Sequence, residues 1–417
     1  MLDVESAVRA PLGVPPPGWA PVERADRVAR LGASARDLWW LEKDAIHLNH
    51  GGYGACPRIV GYAQDIERRR IETQPDLHFA TRVMPGSIAS RVREAAAALA
   101  RFVGAEAGRI ALVENATSGI EAVLRSMPFK AGDRILLTNH HNSAVLSAVE
   151  RRCRETGAQP TLVSLPIPLK PGQVLDTIET AIHRHHPALA IIDHITAPTA
   201  IRLPVRAIAH LLHDYEVPIL VDGTHAPGQI ALDLRSIRAD WYVGDAHTWL
   251  YAPRGTAFLH CAPHAPNIPR PPVTGQAADW GFPQSFDYIG TRDYSAWAAL
   301  PAALQFWQRM DAAGLDAHCA KVLEDGSVHL ERIGLVPAAP AGCSAFMRSF
   351  ILPQRGRTSR AQADQLKETL WRTARIQANS FAFGDKLLLR LCAQAYVEPD
   401  EVAALADVLD RRGWPGR

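Results

Sequence analysis

Two stretches of this chain close apolar runs with residues that can handle charge and protons. Pro218-Ile219-Leu220-Val221 ends in Asp222-Gly223-Thr224-His225, and Trp241-Tyr242-Val243 ends in Gly244-Asp245-Ala246-His247-Thr248. An aspartate at a buried strand end costs free energy unless it is paired, and a protonated ring nitrogen on a ligand is one natural partner. Three further runs end in the same way. Val113 precedes Glu114-Asn115-Ala116-Thr117-Ser118-Gly119, Thr138 precedes Asn139-His140-His141-Asn142, and Ile192 precedes Asp193-His194-Ile195-Thr196-Ala197-Pro198-Thr199. The first of these opens a helix, where free N–H groups, the helix dipole and hydroxyls suit a phosphate. Taken alone, it reads better as an ordinary cap by Thr117 or Ser118. The imidazoles of His140 and His141 can stack on a flat ring or move protons. Each such residue is commonplace singly, but five of these segments at successive strand ends converge on one crevice.

The elements that must position them follow from the periodicity. Short apolar runs at 110–113, 135–138, 161–164, 189–193 and 219–222 alternate with helical text beginning at Ser118 and Ser143, then near 174–184 and 205–215. That alternation predicts an α/β sheet, mainly parallel, with ligands at the carboxyl ends of its strands. Helices are expected over 59–71 and 87–103, and a glycine-rich loop over Leu48–Gly54. From Trp297 to Arg332 the pattern reads as one long helical stretch. Strands at 346–352, 376–381 and 387–391, with helices at 359–371 and 399–411, complete a smaller α+β domain. The expected division is an N-terminal arm (1–45, with Pro11 and Pro15 to Pro17) lying against the small domain, a large domain (46–295) and the small domain (296–417).

Bulk properties narrow the class. With 417 residues, 47% hydrophobic and a formal net charge of +2, the chain exceeds a single core and has no electrostatic claim on nucleic acid or an anionic membrane. No run reaches the roughly 18 apolar residues of a spanning helix, and the N-terminal text lacks the apolar segment of a secretory signal. Six scattered cysteines without a C-x-x-C pair favour reduced thiols in the cytoplasm over disulfides or zinc. The HRHH run at 183–186 reads as a solvated loop, so no metal site is expected.

The chain resembles the class V, fold-type-I pyridoxal-phosphate enzymes, and among them the isopenicillin N epimerase-like branch. The stretches that carry the resemblance are LNHGGYGACP (48–57), ENATSGIEAVLRS (114–126), DHITAPTAIRLPV (193–205), VDGTHAPGQIALDL (221–234), GDAHTWLYAPRGTAFL (244–259), GTRDYSAWAALPAAL (290–304) and LRLCAQAYVEPDEV (389–402). The resemblance implies a three-layer α/β/α large domain and a homodimer with shared active sites. It implies that Asn115, Ala116, Thr117 and His247 hold the cofactor phosphate, with Gly290 and Thr291 reaching the phosphate of a neighbouring subunit. His140 would stack on the pyridine ring and Asp222 would keep its nitrogen protonated, making the ring an electron sink. Thr199 and His225 would sit near the phenolic oxygen. Arg390, with Asn49 beside the same pocket, would bind the substrate carboxylate through its planar fork.

One position departs from the pattern. Where the family has His-Lys-Trp and the lysine forms a Schiff base with the cofactor, this chain has His247-Thr248-Trp249. A hydroxyl cannot form an imine, so pyridoxal 5'-phosphate would be held non-covalently or arrive already condensed with its amino acid. Losing the lysine removes the usual base at Cα. That favours decarboxylation, whose first bond cleavage needs no base, with oxidative deamination by dioxygen as an extension. Epimerisation or C–S lyase action with His140 or His141 as base is the alternative, including work on cysteine S-conjugates in lincosamide-type antibiotic pathways. A non-catalytic relative, or a lysine removed by engineering, is the third reading.

Overall fold

The computed structural model describes residues 29–80, 87–353 and 358–411. Residues 1–28 of the expected arm, with its prolines, lie outside them. In chain order the strands are β1 (Ile46–His47), β2 (Ile110–Val113), β3 (Arg134–Thr138), β4 (Gln159–Val163), β5 (Leu189–Asp193), β6 (Ile219–Asp222) and β7 (Trp241–Asp245). There follow β8 (Ala257–Cys261), β9 (Val336–Pro337), β10 (Met347–Leu352), β11 (Ile376–Gln377), β12 (Asn379–Phe383) and β13 (Lys386–Cys392).

Seven strands form one sheet in the order β2-β8-β7-β6-β5-β3-β4. The pairs β3–β4, β3–β5, β5–β6 and β6–β7 are parallel, and only β8 runs against its neighbours. Strands β5 to β8 are buried at every position, the pattern of a sheet covered by helices on both faces. Pro160, which has no N–H to give, lies on the edge strand β4. Successive residues alternate between two cores. Ile191, Leu220 and Val243 pack under the Ala116–Ser126 and Ser143–Thr156 helices, whereas Ile192, Val221 and Tyr242 join the larger core on the other face. Gly119 permits the close approach of the first helix, since a Cβ there would lie 2.8 Å from Val243 Cγ1.

A second, antiparallel sheet has the order β12-β13-β10-β9, and β1 pairs in parallel with β11. Residues 31–36 run along 395–401: Gly32 N–H donates to Ala395 O (2.6 Å), Ala33 N–H to Glu398 Oε1 (2.7 Å), and Arg36 pairs with Glu401.

Three expectations need correction. The stretch 297–332 is two principal helices, Leu300–Ala312 and Leu315–Arg332, broken at Gly314, whose φ of +92° no helix accommodates. The glycine-rich loop contains a helical turn, His50–Tyr53. The phosphate-side helix begins at Ala116, two residues before Ser118, because Asn115 rather than Thr117 or Ser118 is its cap. No helix among the described residues is long and apolar enough to cross a membrane.

Candidate active site

Three carboxylates meet on one face of the sheet at the carboxyl ends of β5, β6 and β7. Asp193 is in register with Asp222, and Asp222 with Val243, so the strand alternation that buries Ile191, Leu220 and Val243 beneath the helices also points Asp193, Asp222 and Asp245 to that side. All three are buried. Burial is the main force raising their pKa values; the charge of Asp222 adds to it at Asp193, which lies well above the carboxylate range. Asp245 is raised to about 6 by burial, opposed by His247 and by the Ala116 N–H.

The β6 turn fits a protonated aromatic nitrogen. Asp222 Oδ1 accepts both the N–H (3.0 Å) and the hydroxyl of Thr224, while Oδ2 meets no donor among the described residues. One oxygen is thereby fixed and the other left for a ligand. His225 in the same turn is buried, accepts the indole N–H of Trp249 at 3.3 Å, and has its pKa lowered to about 3, by burial first and then by Arg390 and His247.

His140 is buried with both ring nitrogens engaged. Nε2 lies 3.1 Å from Leu165 O, a carbonyl that can only accept, so this nitrogen carries the proton. Nδ1 is therefore the acceptor for the Thr199 hydroxyl at 2.7 Å, and Thr199 in turn receives Thr196 at 2.6 Å. With its pKa lowered to about 4, mainly by burial, His140 is a fixed neutral plate with no lone pair to spare. In this arrangement neither ring nitrogen is free to accept a proton from Cα. The arrangement also gives Thr199 a defined task, orienting that ring. His141 differs: Nδ1 donates to Asn142 O at 3.1 Å, which leaves Nε2 as a free lone pair. It lines a cavity of about 690 Å³ with Ala197, Phe383 and Lys386.

Arg390 on β13 is 2% exposed. Its guanidinium donates to Ala197 O (2.5 Å) and Asn49 Oδ1 (3.3 Å), and Nε has no partner. No carboxylate pairs with it among the described residues. A buried cation without an anion is unstable, so an anion placed against this guanidinium would be stabilising. Asn49 acts here by steering the guanidinium.

The phosphate end departs from the expected arrangement. The Asn115 side chain accepts the Ser118 N–H (2.9 Å) and hydroxyl (3.2 Å) and is committed to capping. The Ala116 N–H donates to Asp245 Oδ1 at 2.9 Å. His247 donates from Nδ1 to Thr256 O (3.0 Å), with Nε2 3.4 Å from Asp245 Oδ2. The Thr117 hydroxyl has no partner among the described residues and can donate. Asp245 stands in the turn already singled out, and its two-residue spacing from Val243 is the signal that places it on the site face.

Thr248 is buried and its hydroxyl has no hydrogen bond among the described residues, while its carbonyl accepts His50 Nε2 at 2.9 Å. Gly54 presses on the same turn, since a Cβ on it would lie 2.3 Å from His247 O. Gly290 and Thr291 are joined to Tyr294 and Tyr288 through hydroxyl contacts of 2.7 and 3.1 Å. At the opposite, amino-terminal end of β7, Asp240 gathers His213 (3.0 Å) and His264 (3.8 Å). Its carboxylate already caps Ile219 N–H at 2.8 Å, which accounts for its burial without an ion. His183, from the HRHH run, contacts Tyr215 at the surface.

The sequence profile of the family "Aminotransferase class-V" matches residues 76–352. An isopenicillin N epimerase of Streptomyces clavuligerus is 28% identical over 400 residues, covering 90% of this chain and 97% of that protein. A putative L-cysteine desulfhydrase 2 of Oryza sativa subsp. japonica is 29% identical over 317 residues, covering 71% of this chain but only 65% of that longer protein. In fold, the chain is similar to the apo cysteine desulfurase of Thermococcus onnurineus NA1 (TM-score 0.75, 17% identity, covering 92% and 98% of the two chains). It is also similar to the cystine C–S lyase C-DES in complex with cysteine persulfide (TM-score 0.74, 20% identity, 88% and 97%). The expected α/β/α, fold-type-I architecture holds, and the free oxygen of Asp222 and the flat, neutral His140 suit a pyridinium ring. The chain belongs to the class-V aminotransferase family, and its cofactor is pyridoxal 5'-phosphate.

Proposed function

We propose that this protein is a pyridoxal-phosphate enzyme that removes the Cα proton of an amino acid anchored by Arg390, and eliminates a sulfur substituent from its β-carbon. The observation that carries this reading is the buried, acid-free guanidinium of Arg390. It asks for a carboxylate, and Ala197, whose carbonyl it holds, lines the 690 Å³ cavity where a substrate side chain can lie. The bound cofactor supplies the electron sink. Asp222 holds a proton on the ring nitrogen, His140 and Thr199 fix the plane, and Thr248 supplies no amine. His141 Nε2, on the cavity wall, is the group left to move the proton.

Arg390 also argues against the decarboxylation that the missing lysine favoured. Loss of carbon dioxide would leave the buried cation bare again, whereas elimination keeps its partner in place. The desulfhydrase and C–S lyase names among the relatives favour the sulfur leaving group. Epimerisation is the second reading, favoured by the nearly full-length match to isopenicillin N epimerase. It needs a proton donor on the opposite face, where Thr248 offers only a weakly acidic hydroxyl.

The test is a titration of the protein with pyridoxal phosphate and then with cysteine, cysteine S-conjugates and other amino acids. Absorption spectra, sulfide or thiol, keto acid and solvent deuterium at Cα are followed together. Elimination predicts a new absorption band on adding amino acid, with equal thiol and keto acid. Carbon dioxide release in place of deuterium exchange would refute it, and deuterium exchange with inversion and no thiol would favour epimerisation.

A further inference from the structure

The phosphate end of this site already contains an acid. Asp245 is 7% exposed and its Oδ1 occupies the Ala116 N–H, the first free donor of the Ala116–Ser126 helix. That donor, with the positive end of the helix dipole, is what a phosphate would otherwise use. Two anions cannot share one N–H in a buried place without a proton between them. The groups that act on Asp245 come from three elements. His247 lies in its own turn at 3.4 Å, Asp222 stands on β6, and the helix start faces it. Glu114, just before that helix, is neutralised by Arg292.

We propose that Asp245 couples phosphate binding to proton uptake: the site holds the cofactor phosphate tightly when Asp245 gains a proton and weakly when it does not, so Asp245 sets the pH range over which this protein holds its cofactor. This deepens the cofactor assignment and rests on it. Protonated, Asp245 becomes a hydrogen-bond donor to a phosphate oxygen and leaves the Ala116 N–H free to join it. The carboxyl pKa of about 6 in the ligand-free site is pushed higher by a bound phosphate, so the sign is fixed. Affinity is full below about 6, falls as pH rises through the window between the free and bound values, by up to roughly tenfold per pH unit, and then levels off.

The test is equilibrium binding of pyridoxal phosphate, and of pyridoxal lacking the phosphate, to the wild-type chain and to Asp245→Asn between pH 5.5 and 8.5. Absorbance and tryptophan fluorescence report binding, with no turnover needed. The asparagine keeps an oxygen for the Ala116 N–H and brings an amide donor, so folding is retained; circular dichroism checks it. At pH 8 the variant binds pyridoxal phosphate on the order of tenfold or more tightly than wild type, loses most of the fall with pH, and leaves pyridoxal affinity within about twofold. Equal affinities and slopes in the two proteins overturn the proposal, as does an equal gain for pyridoxal. Failure of both proteins to bind pyridoxal phosphate at any pH sinks the cofactor assignment itself, a result distinct from equal binding.

Discussion

The β6 and β7 turns are neighbours built to one plan, an aspartate at the strand end with a histidine two or three residues on, yet they treat a ligand oppositely. In the β6 turn, Thr224 saturates one oxygen of Asp222 and leaves the other open, so the charge is presented to a cation. In the β7 turn, Asp245 takes a backbone donor that an anion would need, and Thr248 presents a hydroxyl. The same residue type is complementary in one place and competitive in the other. What decides is the donor each carboxylate consumes, the backbone N–H and side-chain O–H of a local threonine in the first case and the helix N-terminus in the second.

The sharpest way to break this contrast is to make the same substitution in both turns. Asp222→Asn keeps its Thr224 contacts but removes the counter-charge for a ring nitrogen. Breaking a buried charge pair costs about 3–5 kcal/mol, so cofactor binding, read by absorbance titration, should weaken roughly a hundredfold or more, opposite in sign to Asp245→Asn. A similar loss in both variants would mean that the two turns are equivalent.

Arg390→Met comes next. It removes the cation awaiting a carboxylate, so the spectral response to amino acids should fall by about 2–5 kcal/mol of affinity while pyridoxal phosphate still binds. Thermal unfolding of the ligand-free variant should be unchanged or raised, by about 1 kcal/mol, since an unpaired buried charge has gone. A strongly destabilised variant would show that Arg390 is a structural residue.

Thr248→Lys restores only the amine, and should give an absorption band with pyridoxal phosphate before any amino acid is added, removable by borohydride trapping at residue 248. With Asp245 still present, that band should weaken as pH rises, and the double variant with Asp245→Asn should hold it.

The smallest effect concerns acid stability. His50 and His260 are buried with pKa values lowered to about 4, and His194 and His225 to about 3, burial being the main cause in each. Their unfolded forms protonate near 6.5. The stabilisation from keeping them neutral is therefore full above pH 6.5 and lost as pH falls toward those folded values. Chemical denaturation between pH 7 and 5 should show a falling midpoint. His260→Gln, far from the crevice, should remove about one proton's share of that slope; an unchanged slope would relieve His260 of the role.

Much of the large sheet was legible because β5 and β6 are apolar runs closed by an acid, and their limits match the expectation to the residue. Asp222 and Arg390 were singled out through the family resemblance, and the structure buries the first beside Thr224 and the second beside Ala197 and Asn49. The commitments of individual donors were not legible. That Asn115 caps its own helix, that His140 has no lone pair left, and that Asp245 reaches Ala116 across 129 positions of sequence are facts of tertiary contact. Periodicity places a side chain on a face, but does not say which hydrogen bond it will spend itself on. The break at Gly314 was missed for a different reason, since a single glycine inside a helical pattern is often tolerated.

The backbone at position 248 is held from outside by His50 and by the close passage of Gly54. Neither contact involves the threonine side chain. The turn is therefore held through its backbone, and its shape needs no hydrogen bond from the side chain at position 248. A substitution at position 248 thus changes the chemistry offered at the end of β7 while leaving in place both contacts that shape the turn.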